Sequence, residues 1–99
     1  MSVLEQLQLS VKEALADAAL AAGLVADKGE LPVIALEVPK DKAHGDLATN
    51  LAMQLTKIAK RNPRQIAEAI IGKLEEGRAY IQSAEIAGPG FINFRLDKS

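Results

Sequence analysis

The chain has 99 residues, 48% hydrophobic and 25% charged, with seven glycines and four prolines, which fits one globular domain and excludes disordered, collagen-like and fibrous classes. No apolar run nears the roughly 20 residues of a bilayer span, and Glu5, Lys12 and Glu13 interrupt the stretch where a secretory leader needs an apolar core, so a cytoplasmic protein with no membrane partner is expected. A net charge of −1 argues against a free-standing non-specific binder of DNA or RNA, and the lack of cysteine excludes disulfides, thiolate nucleophiles and cysteine-based zinc sites.

Ser2 can cap a helix whose apolar stripe is Leu4, Leu7, Val11, Leu15, Ala18 and Ala22, spaced by threes and fours. Gly23, Asp27, Gly29 and Pro32 mark a stop and a loop. Residues 33–38 then read as a strand, with Ile34, Leu36 and Val38 on the core face and Glu37 marking the other face as wet. After the polar loop 40–45, Asp46 stands where an N-cap belongs, ahead of Leu47, Leu51, Leu55 and Ile58, so a second helix is expected from there, with His44, Gly45 and Asp46 building its start. Asn62-Pro63 is both stop and restart, because proline cannot continue the preceding ladder yet has the φ of a first helical position. The third helix carries Ile66, Ile70 and Leu74 and closes at Gly77. Residues 80–87 and 90–96 are extended runs joined by the turn Gly88-Pro89-Gly90, which reads as a hairpin. With only three aromatics, the core must be filled by aliphatics and alanine. The expected fold is α+β, a single domain over 1–99 with three helices on one face of a small antiparallel sheet.

Few residues could carry chemistry. Asp41, the lone His44 and Asp46 are too few for a metal centre and fit a turn with a helix cap better. Neither Ser10 nor Ser83 sits in a nucleophile elbow, and Gly88-Pro89-Gly90 lacks the third glycine or the lysine of a phosphate loop. The chain alone is expected to catalyse nothing and to hold neither metal nor cofactor.

Two patterns point to binding instead. In the last strand Ile92, Phe94 and Leu96 alternate with Phe91, Asn93 and Arg95. An exposed aromatic can stack on an unpaired base, an amide can address a base edge, and a guanidinium can pair with phosphate; the competing possibility is that a helix covers this face and Phe91 is core. Residues 37–64 also hold six bases against three acids, with Lys57, Lys60, Arg61 and Arg64 gathered at the corner between the second and third helices. Such a cluster is either a solvated face or a stripe that follows a phosphate backbone.

Three blocks are familiar in order and spacing: His44-Gly45-Asp46-Leu47-Ala48-Thr49-Asn50-Leu51-Ala52, Asn62-Pro63-Arg64-Gln65-Ile66-Ala67-Glu68, and Ala87-Gly88-Pro89-Gly90-Phe91-Ile92-Asn93-Phe94. Together they closely resemble the N-terminal additional domain of arginyl-tRNA synthetase. The resemblance implies a domain that precedes a class I catalytic domain and contacts the elbow of arginine tRNA. An aromatic and an amide after the Gly-Pro-Gly turn would read a D-loop nucleotide, and the matching positions are Phe91 and Asn93. Arg95, Lys57, Lys60, Arg61 and Arg64 would then meet the tRNA backbone. ATP and Mg would serve arginine ligation in the full-length enzyme, since the HIGH-type and KMSKS-type motifs are absent from this chain, as the catalytic and anticodon-binding domains would be. The ending Leu96-Asp97-Lys98-Ser99 reads as a cut through a longer protein. The rival from another class is a structural module whose alanine-rich helices dock onto protein, with no direct RNA contact.

Overall fold

The computed structural model describes residues 2–75 and 78–97. The first helix, α1 (Val3–Ala21), starts where the Ser2 side chain accepts from the Glu5 N–H at 3.1 Å, and it ends before Gly23, whose φ of 73° leaves the helical region. Val11, Ala14, Leu15, Ala18 and Ala19 are its buried face. Leu4 of the expected stripe is 53% exposed, because the first turn of α1 overhangs a cleft beside Val38 and Leu96 rather than the core. Asp17 tethers this helix to two turns by ion pairs with Lys28 and Arg78.

The strand expected over 33–38 is much shorter. Only β1 (Leu36–Glu37) joins the sheet. Ile34 and Leu36 pack against the core as expected, whereas Val38 is 63% exposed and has left the core face.

A strand absent from the sequence reading, β2 (Leu47–Thr49), takes the place given to the start of the second helix. Leu47 and Thr49 point inward and Ala48 outward, and β2 pairs antiparallel with both β1 and the last strand. Asp46 is therefore not a helix cap. Its backbone N–H donates to the Phe94 carbonyl at 2.7 Å and its carboxylate accepts from the Leu96 N–H at 2.9 Å, so it fastens the edge of β2 to the end of its neighbour. The helix begins four residues later, as α2 (Leu51–Gln54), and its Leu51 N–H is met by the Thr49 hydroxyl at 3.2 Å. Thr56 then returns its hydroxyl to the Met53 carbonyl at 3.0 Å, a back-bond that bends the helix and divides α2 from α3 (Thr56–Ala59).

Lys60 closes α3 in the left-handed conformation, φ 56° and ψ 41°, a position more often filled by glycine. Asn62 caps the next helix, α4 (Pro63–Lys73), accepting from the Gln65 N–H at 2.9 Å, and Pro63 occupies its first turn. The corner is built as the Asn-Pro pair implies. Gly77, expected to close α4, lies outside the described residues; within them the helix ends at Lys73.

The hairpin is as expected, β3 (Ile81–Ala87) and β4 (Phe91–Leu96) around residues 88–90, except that Tyr80 precedes the strand because its φ of 60° is left-handed. The sheet is antiparallel in the order β1-β2-β4-β3. Helical segments cover one face of it, where Ile92, Phe94 and Leu47 meet Leu51, Leu55, Ile66, Ile70, Leu15 and Val11. Alanine at 18, 19, 52 and 67 is buried among them, letting the helices approach closely. The α+β class holds, with one strand more and a second helix shorter and divided. Among the described residues no helix is long and apolar enough to cross a membrane.

Candidate nucleic-acid interface

On β4 the inward side chains Ile92, Phe94 and Leu96 are buried, while Phe91 and Arg95 are exposed and Asn93 is half-buried. The helices lie on the opposite face, so the possibility that a helix covers Phe91 does not hold. Register extends the open face across the sheet. Glu37 stands opposite Ala48, Ala48 opposite Asn93, and Asn93 opposite Glu85, and directly opposed residues share a face. A cleft of about 320 Å³ lies on this face, lined by β1 and β2 through Glu37 and Ala48, by Pro39 and His44, by the hairpin tip, and by Phe91 and Asn93.

Two glycines set the geometry around it. Gly45 has φ +94°, and a Cβ there would stand 2.6 Å from the Phe94 carbonyl oxygen, so only glycine lets the chain pass over β4 into β2. Gly90 has φ +144°, and a Cβ there would lie 2.6 Å from the Pro63 Cβ. The tip of the hairpin thus rests directly on the first turn of α4. Arg64 reinforces this, its Nη1 donating to the Gly88 carbonyl at 2.7 Å. The sequence's two binding signals, remote along the chain, are joined by this contact: the corner bearing Lys57, Lys60, Arg61 and Arg64, all exposed, adjoins the Phe91 end of the open face.

The individual side chains divide into roles. Phe91 is 37% exposed, and its ring runs within van der Waals reach of Gly88, where a Cβ would lie 3.8 Å from its Cδ2. One flank of the ring is held by the hairpin tip, and the part that remains accessible lines the cleft. Arg95 donates through Nη2 to the Ala43 carbonyl at 2.9 Å, so it fixes the 42–44 turn against the sheet. Arg64 and Arg95 therefore both have structural partners; the Arg64 guanidinium carries five N–H donors, and its bond to Gly88 does not exhaust it. His44 is exposed at the cleft wall, while Gly45 carries the chain over β4 and Asp46 fastens β2 to it, so none of the three builds a helix start. Glu37 is the acidic lining residue, which sequence reasoning did not single out as a candidate; its signal was the wet side of the β1 alternation. Among the described residues no group of three His, Asp or Glu side chains is placed to hold a metal ion.

Comparison with known proteins decides the family. The arginyl-tRNA synthetase N-terminal domain model matches residues 5–96. This chain belongs to the arginyl-tRNA synthetase N-terminal domain family. The arginine–tRNA ligase of Geobacillus kaustophilus is 55% identical over 97 residues, covering 98% of this chain and 17% of the relative, and that of Staphylococcus aureus is 53% identical over 97 residues with the same coverage. The chain thus spans under a fifth of the length of these curated relatives. Among solved structures, arginyl-tRNA synthetase of Plasmodium falciparum superposes with a TM-score of 0.69 at 17% identity over 89% of this chain and 15% of that one. The Thermus thermophilus enzyme gives 0.64 at 24% identity over 88% of this chain and 13% of its own. At such low identity these two show that the fold is shared. In this chain the Gly88-Pro89-Gly90 turn lies at the junction between the open sheet face and the basic corner.

Proposed function

We propose that this chain is the tRNA-binding N-terminal domain of a longer arginine–tRNA ligase, and that it holds the D loop of arginine tRNA on the open face of its sheet. The observation that carries the reading is the contact of Gly90 with Pro63, which sets the Phe91-Asn93 face beside the basic corner. Phe91 stacks on an unpaired base and Asn93 hydrogen-bonds its edge. Lys57, Lys60 and Arg61 meet phosphates, with Arg64 and Arg95, both tied into the fold, as weaker auxiliaries. The longer protein joins arginine to tRNA with ATP and Mg in its catalytic domain. The Gly88-Pro89-Gly90 turn fits no triphosphate, since Pro89 has no N–H to offer and Gly90 is buried against Pro63 with its N–H donated to the Ala87 carbonyl at 3.3 Å. The catalytic domain is the second partner of this one, and the exposed Val3, Leu4, Val38 and Tyr80 at the Leu96 end of β4 support a protein-facing surface away from the RNA face.

Salt dependence of binding separates the two kinds of contact. Phe91→Ala is expected to lower affinity for arginine tRNA by about 1–3 kcal/mol at every salt concentration. Replacing Lys60 and Arg61 together by alanine is expected to reduce the slope of log affinity against log salt by about 1.5–2. Equal affinity of Phe91→Ala and the parent, or an unchanged slope in the double variant, would refute the assignment.

A further inference from the structure

The side chain of Glu37 has no evident task in the fold. It stands exposed on β1, and among the described residues no hydrogen bond or ion pair engages its carboxylate. A face that attracts RNA has reason to exclude carboxylates, because each repels phosphate. Here one, Glu37, forms part of the cleft wall, while a second, Glu85, stands opposite Asn93 on the same face but outside the cleft lining. Register sets Glu37 and Asn93 on either side of Ala48, two strand spacings apart, roughly 10 Å between Cα atoms. The floor between them is a single methyl group. The stacking ring, the amide and the carboxylate line the same cleft of about 320 Å³.

Resting on the RNA-binding reading of this face, we infer that Glu37 determines which base the cleft accepts, selecting an unpaired base with an exocyclic amino group (adenine, cytosine or guanine) over uracil. The argument is one of hydrogen-bond inventory. Asn93 carries both an acceptor and donors and can rotate to suit a carbonyl or an amino edge. Discrimination between these edges must come from a group that cannot adapt. An ionised carboxylate is acceptor-only, so it is matched by an amino N–H and opposed by a carbonyl oxygen. Uracil offers one imino N–H set between two carbonyls, and a carboxylate approaching it meets both oxygens. Adenine, cytosine and guanine each present an amino group at the rim of the ring. Phe91 contributes affinity without choice, since every base has a π-face.

The test uses arginine tRNA transcripts in which each unpaired D-loop position is set in turn to A, C, G and U, bound to the parent chain and to its Glu37→Gln and Phe91→Ala variants by fluorescence anisotropy. Glutamine keeps the size of the side chain but can donate to a carbonyl. At one loop position the parent is expected to bind the uracil transcript about tenfold more weakly than the amino-bearing ones. Glu37→Gln is expected to bring the four within about twofold of one another. If Phe91→Ala weakens binding but Glu37→Gln leaves the order of bases unchanged, the role of Glu37 is overturned and the base-stacking face stands. If Phe91→Ala weakens no transcript, the face itself does not read RNA and the inference falls with it.

Discussion

Substituting Gly90 by alanine probes the joint that holds the candidate interface together. The residue is buried, its φ of +144° disfavours any side chain, and the new Cβ would lie 2.6 Å from the Pro63 Cβ and 3.1 Å from the Pro63 carbonyl carbon. Backbone strain at such a position costs about 1–3 kcal/mol. Relieving a contact that short means moving the first turn of α4 or the hairpin tip, a further penalty of about 1–3 kcal/mol of the kind seen on overpacking. The sum, about 2–6 kcal/mol, is a large share of the roughly 5–15 kcal/mol by which a domain is stable. For a chain of this size it lowers the melting temperature by roughly 8–50 °C. Gly72 supplies the matched control: it lies inside α4 with nothing within 4 Å of its hypothetical Cβ, so Gly72→Ala gains about 0.5–1 kcal/mol of helix propensity. Urea and thermal unfolding of the two variants beside the parent give the comparison. A Gly90→Ala protein as stable as the parent would mean that the hairpin tip is not seated on α4, and the joining of the two binding signals would lose its basis.

Asp46→Ala leaves the part-buried Leu96 N–H without its carboxylate and is expected to cost about 1–3 kcal/mol. Amide exchange should quicken at Leu96 more than at Ala48 or Thr49, whose N–H groups a helix cap at Asp46 would have held. Phe94→Ala empties a fully buried site and is expected to cost about 3–5 kcal/mol, whereas Phe91→Ala, at 37% exposure, changes stability by less than about 1 kcal/mol, as equilibrium unfolding would show. The pairs with Lys28, first, and Arg78 hold the Asp17 carboxyl below its ordinary 3.8. A folded pKa below the unfolded one gives stability that is complete above 3.8 and fades as pH falls through the folded value. Asp17→Asn is therefore expected to lose less than about 1 kcal/mol at neutral pH, because the pairs are well exposed, and to match the parent in strong acid. A gap between the two that persisted in strong acid would show that the loss has another cause.

Most of the helical framework was legible because its signals are local. Ser2 and Asn62 each accept the backbone bond that their position implies, and the alternation of residues 91–96 names both the core face and the open one. The stretch 46–51 misled for a physical reason. Leu47, Leu51 and Leu55 satisfy a helical period, but three residues of strand are too few for alternation to compete, and what decides them is pairing with β1 and β4, from residues 11 to 47 positions away. The local clue lay in Thr49, β-branched and able to meet the Leu51 N–H, with Gly45 ahead of it in a conformation that only a close backbone crossing requires. The basic corner and the Phe91 strand were each visible in the sequence. Their adjacency was not, because it depends on Gly90 meeting Pro63 across the fold. Glu37 escaped notice as a candidate for the same reason, since its place in the cleft follows from register through β2.

Amide NMR of the isotope-labelled chain, titrated with arginine tRNA at low and moderate salt, tests the central claim most directly. The account predicts shifts at residues 91–95 and 48 that persist as salt rises, and shifts at 57–64 that fade with it. Shifts confined to the apolar end around Val3, Leu4 and Tyr80, or none on the open face while the chain remains folded, would contradict it.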